Sequence, residues 1–421
     1  MAVILIFVVF VIAGLALTTA QVLLTLRLLG RARDRELPAA AARRSWACEL
    51  EGPSAEAGQN APLVSILKPI SGMEDELEEN LVSFANLRGI DHEIILSVAD
   101  ADDPALEVIE RVRRRFPASR FSLTVGGAAR ALNPKVERLI AAARLARGRI
   151  LFISDSNVRV SPDDIAATVA PFRDPMVGCV SNPFVVHGAS TFGAAIESLH
   201  LMSFVLPGCA LANALGIPCV VGKSMAIGRD AYEAIGGFQA FAEVLAEDQA
   251  MALAIKKAGY KLILSSRTVR NVVINRSLGG AMDRQVRWNK IRYSFSKLAY
   301  TAEFLVNPFP LSLLLCGGCA AIRPGALPGV MTLATITLAA RLLHAGIIIR
   351  HLGAHSMWRT LPLVPVQDVL QFAAQFKPYF SNEVIWRGHR ARLGRGTAML
   401  VSPTGNNALR SGSMRTGVEL R

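Results

Sequence analysis

Acidic residues follow two apolar, β-type runs of the sequence. Asp100, Asp102 and Asp103 come after the run 92–98, and Asp155 follows a second such run. Carboxylates at strand ends can accept hydrogen bonds from a base and a ribose. A divalent metal such as Mg²⁺ or Mn²⁺ binds through one or two carboxylates plus substrate phosphates. Because Asp also suits a polar turn that caps a helix, a nucleotide and metal site and an ordinary turn both stay open.

A further acidic pair, Glu247 and Asp248, precedes the helical stretch 250–258. A carboxylate at Asp248 could act as a general base that takes the proton from an attacking hydroxyl. The alternative is an ordinary helix start, where acidic side chains interact favourably with the helix dipole. This pair alone does not decide between the two interpretations.

The segment Arg284-Gln-Val-Arg287-Trp288 places two guanidinium groups and an indole on one face of a predicted helix. Arginine suits bidentate binding of phosphate, and tryptophan offers a flat surface to a sugar or a lipid. An amphipathic helix lying on a membrane would show the same residues. Both interpretations can hold at once.

Strand and helix patterns alternate from residue 63 to residue 153, and this alternation must position the acidic residues. Such an order predicts an α/β fold with a parallel sheet covered on both faces. Ligands of such sheets bind outside the carboxyl ends of the strands, where both acidic groups fall. The predicted strands are 63–67, 92–98, 121–125 and 149–153, and the predicted helices are 74–87, 105–115 and 135–147.

Membrane segments are predicted at both ends of this region, in a chain that is 52% hydrophobic. Residues 1–26 carry no charge, and roughly 20 apolar residues cross a bilayer. A cleaved signal peptide is the alternative, but its apolar core is shorter. The arginines that begin at Arg27 predict that the following residues are cytoplasmic. Two more apolar runs lie between residues 304 and 349 and are divided near Arg323.

The net charge of +13 could indicate a nucleic-acid partner, but the basic residues cluster beside the apolar segments. Contact with anionic lipid head groups explains that distribution, so a lipid bilayer is expected and nucleic acid is not. The six scattered cysteines form no disulfide framework and fit a reducing cytoplasm.

The order of the motifs resembles the ceramide glucosyltransferase family over roughly residues 63–292. The resemblance implies an inverting, family-2-like glycosyltransferase with the nucleotide-sugar-binding GT-A fold. It also implies a UDP-sugar donor, UDP-glucose or a relative, and a ceramide-like acceptor. The matching segments are Val64-Ser-Ile-Leu-Lys-Pro-Ile70, Asp100-Ala-Asp-Asp-Pro-Ala105, Asn133-Pro-Lys135, Ser154-Asp-Ser156 with Arg159-Val160, Ala246-Glu-Asp248 and Arg284-x-x-Arg-Trp288.

The same resemblance implies a role for each candidate site residue. Asp248 would be the catalytic base, and Asp155 would hold a divalent metal and the diphosphate, with Asn157 at the second position of the usual acidic pair. Trp288 and Arg284 would lie on the acceptor side. The residues implied to bind the donor are Lys68, Asp100, Asp102, Asp103, Lys135, Asp155 and Arg287.

Other functions stay open beside this one. Ser203-Phe-Val-Leu-Pro207 stands where animal-type enzymes carry a Ser-His-Pro segment. The acceptor or donor pocket is therefore expected to differ from theirs. Bacterial enzymes that glycosylate hopanoid lipids share the scaffold, and UDP-N-acetylglucosamine would then be the donor. A processive polysaccharide synthase needs a channel, for which three or four apolar segments are too few. A catalytically inactive membrane scaffold is disfavoured because the three signature aspartates, Asp103, Asp155 and Asp248, are all present.

The sequence thus predicts a multi-pass protein of a bacterial inner membrane with a cytoplasmic catalytic domain. In the segment 351–398, Asp368 and Lys377 disfavour a simple span, and a membrane-associated or re-entrant segment is expected. The predicted layout is a membrane anchor at 1–29, a linker at 30–60, a GT-A domain at 61–300 with an interfacial helix near 281–300, membrane segments at 301–350, the segment 351–398 and a disordered tail at 399–421.

Overall fold

The computed structural model describes residues 2–34, 64–126, 131–386 and 389–401. Residues 35–60 of the predicted linker and most of the predicted tail lie outside these residues, whereas residues 30–34 of the predicted linker continue helix α1. The helices are α1 (Ala2–Asp34), α2 (Leu77–Ala85), α3 (Ala105–Arg115), α4 (Pro134–Ala143), α5 (Asp164–Val169), α6 (Phe192–His200), α7 (Leu206–Ala214), α8 (Arg229–Ala234), α9 (Glu247–Lys257), α10 (Leu278–Phe295), α11 (Lys297–Ala302), α12 (Pro308–Ile322), α13 (Leu327–His351), α14 (Val364–Ala374) and α15 (Lys377–Phe380). The strands are β1 (Val64–Pro69), β2 (His92–Val98), β3 (Phe121–Val125), β4 (Ile150–Ser154), β5 (Val158–Arg159), β6 (Val177–Ser181), β7 (Phe184–Gly188), β8 (Ser224–Gly228), β9 (Lys261–Leu264), β10 (Val269–Val273), β11 (Glu383–Trp386), β12 (His389–Leu393) and β13 (Met399–Val401).

A seven-stranded sheet in the order β3-β2-β1-β4-β8-β6-β9 forms the centre of the catalytic domain. The first four strands of that order run parallel, and β8 is antiparallel to both of its neighbours. Adjacent side chains of a strand point to opposite faces, and Ile66 and Leu67 are both fully buried in different apolar clusters. The sheet is therefore covered on both faces, and the predicted α/β fold is confirmed.

The predicted elements of this domain match the structure closely. The predictions for β2, α3 and β3 have the observed bounds, whereas α2 and α4 are shorter than predicted. Strand β1 continues through Lys68 and Pro69, which were expected to end it. Pro69 has no amide hydrogen to donate, yet the strand is buried along its whole length.

Two small sheets complete the fold. The sheet β5-β10-β7 supports α6, while β11-β12-β13 forms in the segment predicted to be membrane-associated or re-entrant. This last sheet binds the catalytic domain, since the Leu245 amide donates to the Thr397 carbonyl oxygen at 3.0 Å. The Met399 amide likewise donates to the Glu243 carbonyl oxygen at 2.7 Å. Residues 399–401, predicted to begin a disordered tail, thus form a strand.

Among the described residues, three helices are long and apolar enough to cross a membrane, at Ala2–Gly30, Phe192–Ala214 and Pro324–His351. The second of these is mostly buried inside the protein. Lys297–Val306 and Pro308–Ile322 form a pair bent by 76° that could make a fourth span. The predicted division near Arg323 is observed, because α12 ends at Ile322 and α13 begins at Leu327. Helix α1 packs against both α12 and α13.

Helix α10, which was predicted to lie on the membrane surface, has one buried face, and the rest of it is half-buried or exposed. Ala281, Gln285 and Asn289 are buried against neighbouring helices. Leu278, Gly279 and Asp283 of α10 are exposed, and Leu298 of α11 is 83% exposed. The interfacial position of α10 stays a prediction, and α11 offers a more exposed apolar side chain after it.

A buried ion pair joins α13 to α14. The Arg341 guanidinium donates to both oxygens of Asp368, at 2.7 and 2.8 Å, and both side chains are about 95% buried or more. The pairing explains how the charged Asp368 can lie beside the apolar helix α13. The charge of Asp368 is the reason that the sequence disfavoured a simple span. Leaving one of the two charges alone would be costly.

We expect Asp368→Ala to destabilise the protein by about 3 kcal/mol or more, because the Arg341 charge then has no partner. The measurement is thermal unfolding of the purified protein in detergent. The double variant Arg341→Met with Asp368→Leu should recover most of the lost stability. An Asp368→Ala protein as stable as wild type would show that the pair is not buried in solution.

Candidate active site

The Lys135 ammonium group lies between two carboxylates at the carboxyl ends of the central strands. Its Nζ is 2.9 Å from an oxygen of Asp155 and 2.9 Å from an oxygen of Glu247. It also donates to the Gly222 carbonyl oxygen at 3.2 Å. Burial opposes the charge of Lys135, but the carboxylates of Asp155, Glu247 and Asp248 outweigh it and raise the pKa of Lys135.

The sequence Asn133-Pro-Lys135 fixes this lysine at the start of α4. The Asn133 side chain accepts the amide hydrogens of Lys135 and Val136, which caps the helix, and Pro134 suits its first turn. The Asn133 amide group also donates to Glu247 at 3.2 Å and to the Val244 carbonyl oxygen at 2.7 Å. One side chain therefore starts α4 and holds the start of α9 beside it.

Asp155 lies directly after β4 and pairs with a second lysine, Lys223, at 3.6 Å. Burial disfavours ionisation of Asp155, but the ammonium groups of Lys135 and Lys223 outweigh it and hold the pKa of Asp155 far below its ordinary value. Lys223 also donates to the Asn157 side chain at 3.2 Å. Asn157, which stands at the second position of the usual acidic pair, therefore binds a lysine.

Lys68 lies beneath Asp155 and is fully buried. Its Nζ donates to the Ser154 hydroxyl at 3.1 Å and to the Asp155 carbonyl oxygen at 3.0 Å, and it lies 3.8 Å from the centre of the Phe84 ring. Burial lowers the pKa of Lys68 to about 7, against the opposing effect of the Asp155 charge. Lys68 therefore supports the strand end and does not reach the surface of the site.

Asp248, in the first turn of α9, holds the loop before β8. One of its oxygens accepts the Gly222 amide hydrogen at 2.7 Å and the other accepts the Gln249 amide hydrogen at 2.8 Å. Gln249 binds the same loop through the Pro218 carbonyl oxygen at 2.7 Å. Asp248 is half-buried at the edge of the Lys135 network, and Glu247 is buried inside it.

The three aspartates after β2 are divided between two environments. Asp100 and Asp102 are exposed. Asp103 accepts the Gly72 amide hydrogen on both oxygens, at 3.1 and 3.0 Å, and the Ala105 amide hydrogen at 2.9 Å. The contacts of Asp103 are therefore those of a turn residue, and they join the segments after β1 and β2. Asp100 and Asp102 are the more accessible carboxylates at this strand end.

Helix α10 carries Arg284, Arg287 and Trp288 to the other side of the site. Arg284 lies 5.5 Å over the Trp288 ring and 3.5 Å from the fully buried carboxylate of Glu197. Arg284 also lies close enough to lower the pKa of Asp155, although it contributes less than the two lysines. Trp288 stacks on the buried His200, with ring centres 6.1 Å apart. Arg287 is half-buried.

Polar side chains continue from Trp288 into a buried seam between α6, α10 and α14. Gln371 donates to Asn289 at 3.2 Å, and Gln367 lies 3.4 Å from His200. Several atoms of this seam have no hydrogen-bond partner within the described part of the chain. They are His200 Nε2, both amide atoms of Gln285, Asn289 Nδ2, Gln367 Oε1 and Gln371 Oε1. Buried polar atoms are nearly always satisfied, so this seam suits a polar ligand or water.

Comparison with known proteins identifies the family of this chain. The sequence profile described as glycosyl transferase family 21 matches residues 36–399. The chain belongs to glycosyl transferase family 21. The resemblance stated from the motifs is thereby confirmed, and the network around Lys135 is the candidate active site of a family 21 glycosyltransferase.

Curated relatives of this family 21 chain include two proteins of Caenorhabditis elegans. Ceramide glucosyltransferase 3 is 28% identical over 256 residues, covering 60% of this chain and 56% of the relative. Ceramide glucosyltransferase 1 is 27% identical over 259 residues, covering 61% of this chain and 55% of the relative. The matched region is thus little more than half of each relative.

A solved structure with a similar fold is the mannosyltransferase PcManGT from Pyrobaculum calidifontis in complex with GDP-Man and Mn²⁺. It is 20% identical, with a TM-score of 0.47, and the alignment covers 88% of this chain and 99% of that chain.

The structure brings Lys68, Lys135, Asp155 and Asp248 of the family 21 chain to one edge of the sheet. Lys223 and Glu197 were not predicted from the sequence, and the pairing of Glu247 with Lys135 was not predicted either. Lys223 and Glu197 follow no strand end that draws attention to them. Glu247 was visible in the same motif as Asp248, and its pairing with Lys135 depends on how α4 and α9 meet.

We expect Gly222→Ala to reduce sugar transfer by about 100-fold, because misplacing a catalytic group by 1 Å can cost that much. A Cβ atom at this position would lie 2.5 Å from an oxygen of Asp248, so the carboxylate must move. The measurement is the transfer rate at saturating donor. Gly208→Ala is the matched control, because its Cβ would have no heavy atom within 4 Å. Equal loss in both variants would contradict the role of the contact.

The buried Lys68 predicts a pH dependence of stability. Its pKa falls from 10.5 to about 7 on folding, so the unfolded chain binds more protons between these pH values. The lysine therefore destabilises the fold below about pH 7, and that cost disappears as the pH rises toward 10. Lys68→Met should become relatively less stable than wild type over this range of pH.

Thermal unfolding midpoints from pH 6 to pH 10 check this prediction. The exposed Lys257→Met is the control and should follow the wild-type profile. A Lys68→Met profile parallel to wild type would contradict the lowered pKa.

Proposed function

We propose that the chain is a membrane-bound inverting glycosyltransferase that moves glucose from UDP-glucose to the primary hydroxyl of a ceramide-like lipid. The observation that supports this most directly is the Lys135 network with Asp248 at its edge, placed where an α/β sheet binds its ligands. The membrane helices hold that edge near a bilayer. The family and its ceramide glucosyltransferase members support the reaction class and the lipid acceptor.

The donor diphosphate would meet positive charge from several directions. Lys135 and Lys223 both touch Asp155, and Arg284 acts on it from α10. Negative charge grows on the departing nucleotide during transfer, and preorganised cations that face it stabilise the transition state. We assign the uridine part to the exposed Asp100 and Asp102, with Asp103 shaping their turn, and part of the diphosphate to Arg287.

A divalent metal, Mg²⁺ or Mn²⁺, belongs to this proposal at Asp155. The described residues contain no group of three His, Cys, Asp or Glu side chains that could hold a metal alone. A single ionised carboxylate completed by donor phosphate oxygens fits such an ion. When bound, the metal would neutralise charge on the diphosphate. Asp155 would hold the ion, and Lys135 and Lys223, which contact the two oxygens of Asp155, would supply further positive charge to the phosphates.

Asp248 is the proposed base. Its two hydrogen bonds, from the Gly222 and Gln249 amides, fix the orientation of the carboxylate. The neighbouring Glu247 is a poorer candidate, because it is buried and paired with Lys135. Asp248 takes the proton of the lipid hydroxyl while the oxygen attacks the anomeric carbon from the face opposite the leaving UDP. The displacement therefore inverts the configuration at that carbon.

The acceptor side is assigned to Trp288, Arg284 and the polar seam beside them. The indole offers an apolar surface, and the unpartnered amides of Gln285 and Asn289 offer hydrogen bonds to a polar head group. The seam ends at α14, which is joined to the membrane helix α13 by the Arg341–Asp368 pair. A lipid can present its head group along this path without leaving the bilayer. We propose a cytoplasmic catalytic domain, which the arginines that begin at Arg27 favour, and a bacterial inner membrane.

A hopanoid acceptor with UDP-N-acetylglucosamine is the second candidate. The segment Leu201–Val205 forms a π-helical turn between α6 and α7, next to the seam. It includes part of the segment in which this chain departs from the animal-type enzymes. A changed acceptor is therefore expected first at this position.

Transfer of radiolabelled glucose from UDP-glucose to ceramide, in membranes that contain the protein, tests the proposal. Wild type should form labelled lipid, and Asp248→Asn should lose more than 99% of it. Asp230→Asn is the matched control, since Asp230 is an exposed aspartate in the first turn of α8. No transfer by wild type to ceramide, with transfer from UDP-N-acetylglucosamine to a hopanoid, would favour the second candidate. Full activity of Asp248→Asn would contradict its role as base.

A further inference from the structure

A second cavity, of about 470 Å³, lies between the end of α10 and the C-terminal sheet. Three cationic side chains line it, Lys290, Lys297 and Arg395, and none of its described lining residues carries a carboxylate. Tyr293 and Phe295 form an aromatic wall. None of the residues at the carboxyl ends of the central strands lines this cavity, so it is distinct from the donor site.

The neighbours of this cavity place it at the membrane surface. Leu298 follows Lys297 and is 83% exposed, and Phe380 precedes the lining residue Ser381 and is 84% exposed. The membrane helix α12 begins soon after this point, beyond the 76° bend. Large apolar side chains this exposed beside a span are suited to lipid tails, while cations at the same level meet lipid head groups.

The charges of the cavity are only partly used by the protein itself. The Lys290 ammonium group donates to the Glu383 carbonyl oxygen and to the Ser381 hydroxyl. Lys297 lies 5.5 Å from the centre of the Tyr293 ring. Lys297 and Arg395 form no ion pair with a carboxylate of the described residues. The cavity therefore presents uncompensated positive charge to a ligand.

We propose that this cavity binds the phosphate of an anionic phospholipid, with the acyl chains of that lipid against Leu298 and Phe380. The three cations surround the phosphate, and the aromatic wall contacts the glycerol region. An uncharged acceptor lipid would gain little from three cations, so the ligand differs from the acceptor.

The cavity is connected to the active site through the chain. Residues Leu393 and Arg395 of its wall lead directly to Thr397, whose hydroxyl accepts the Ala246 amide hydrogen at 3.2 Å. Ala246 precedes Glu247 and Asp248. A lipid that holds this segment in place therefore stabilises the start of α9. This second effect rests on the proposed function, whereas binding of the lipid does not.

The full chain in nanodiscs of neutral phosphatidylcholine with 20% phosphatidylglycerol tests the proposal. After transfer to neutral detergent, mass spectrometry counts the phosphatidylglycerol that stays bound. The double variant Lys297→Gln with Arg395→Gln should retain about 30-fold less than wild type, because each charge near an anionic surface contributes about 1 kcal/mol. Arg114→Gln with Lys257→Gln removes the same charge from exposed positions of α3 and α9 and should retain the wild-type amount.

Equal loss in both double variants would overturn the site, because the attraction would then be diffuse. The protein in neutral nanodiscs is also incubated with radiolabelled inorganic phosphate. If the phosphate binds and Lys297→Gln with Arg395→Gln abolishes this binding, the cavity binds a soluble anion and the lipid proposal is overturned. Sugar transfer should rise about threefold or more with phosphatidylglycerol in wild type and in the Arg114→Gln with Lys257→Gln control, but not in Lys297→Gln with Arg395→Gln. Equal transfer rates with and without phosphatidylglycerol would overturn only the coupling of the cavity to the active site. The lipid-retention measurement tests the binding site by itself, even if no sugar transfer is found.

Discussion

The ammonium group of Lys135, held between Asp155 and Glu247, is the interaction on which the rest of the site depends. Three lysines and three carboxylates meet here within a largely buried edge of the sheet. The charges of Lys135 and Asp155 are tolerated because opposite charges lie beside them, and removal of one would leave the other uncompensated. Under the proposed function, an arriving diphosphate would compete with Asp155 for Lys135 and Lys223. We therefore expect binding of the donor and rearrangement of the lysines to be one event.

The need to keep these buried charges paired explains why three distant segments of the chain are held so firmly. Asn133 caps α4 and binds Glu247, Asp248 binds the Gly222 loop, and Thr397 binds the residue before Glu247. The Asn133 cap and the contacts of Asp248 and Thr397 are hydrogen bonds to backbone amides, whereas Asn133 binds the Glu247 side chain. Backbone anchors of this kind leave little freedom for the side chains between them. The orientation of Asp248 is therefore a property of the whole edge and not of one helix.

Much of the catalytic domain could be predicted from the sequence because its signals are local. The apolar runs of β2 and β3 and the amphipathic pattern of α3 end at clear turn residues. The positions of Asp155 and Asp248 followed from strand ends and motif order. The pairing of Lys135 with Glu247 could not be predicted in this way, since it depends on how α4 and α9 approach each other across the sheet. Lys223 was missed for the same reason, because its loop shows no pattern of its own.

The C-terminal region shows the opposite case, where a local signal misled. Apolar residues near Asp368 and Lys377 indicated a segment at the membrane, and α14 does pack against α13 through the Arg341–Asp368 pair. The residues beyond it instead form a sheet that binds beside Glu247. Short strands at a domain edge carry too few residues for a clear alternation, and their partner, the segment 243–246, is distant in the chain. The consequence is physical: the C-terminal sheet joins the segment before Glu247 to α14 and α15, which precede that sheet in the chain.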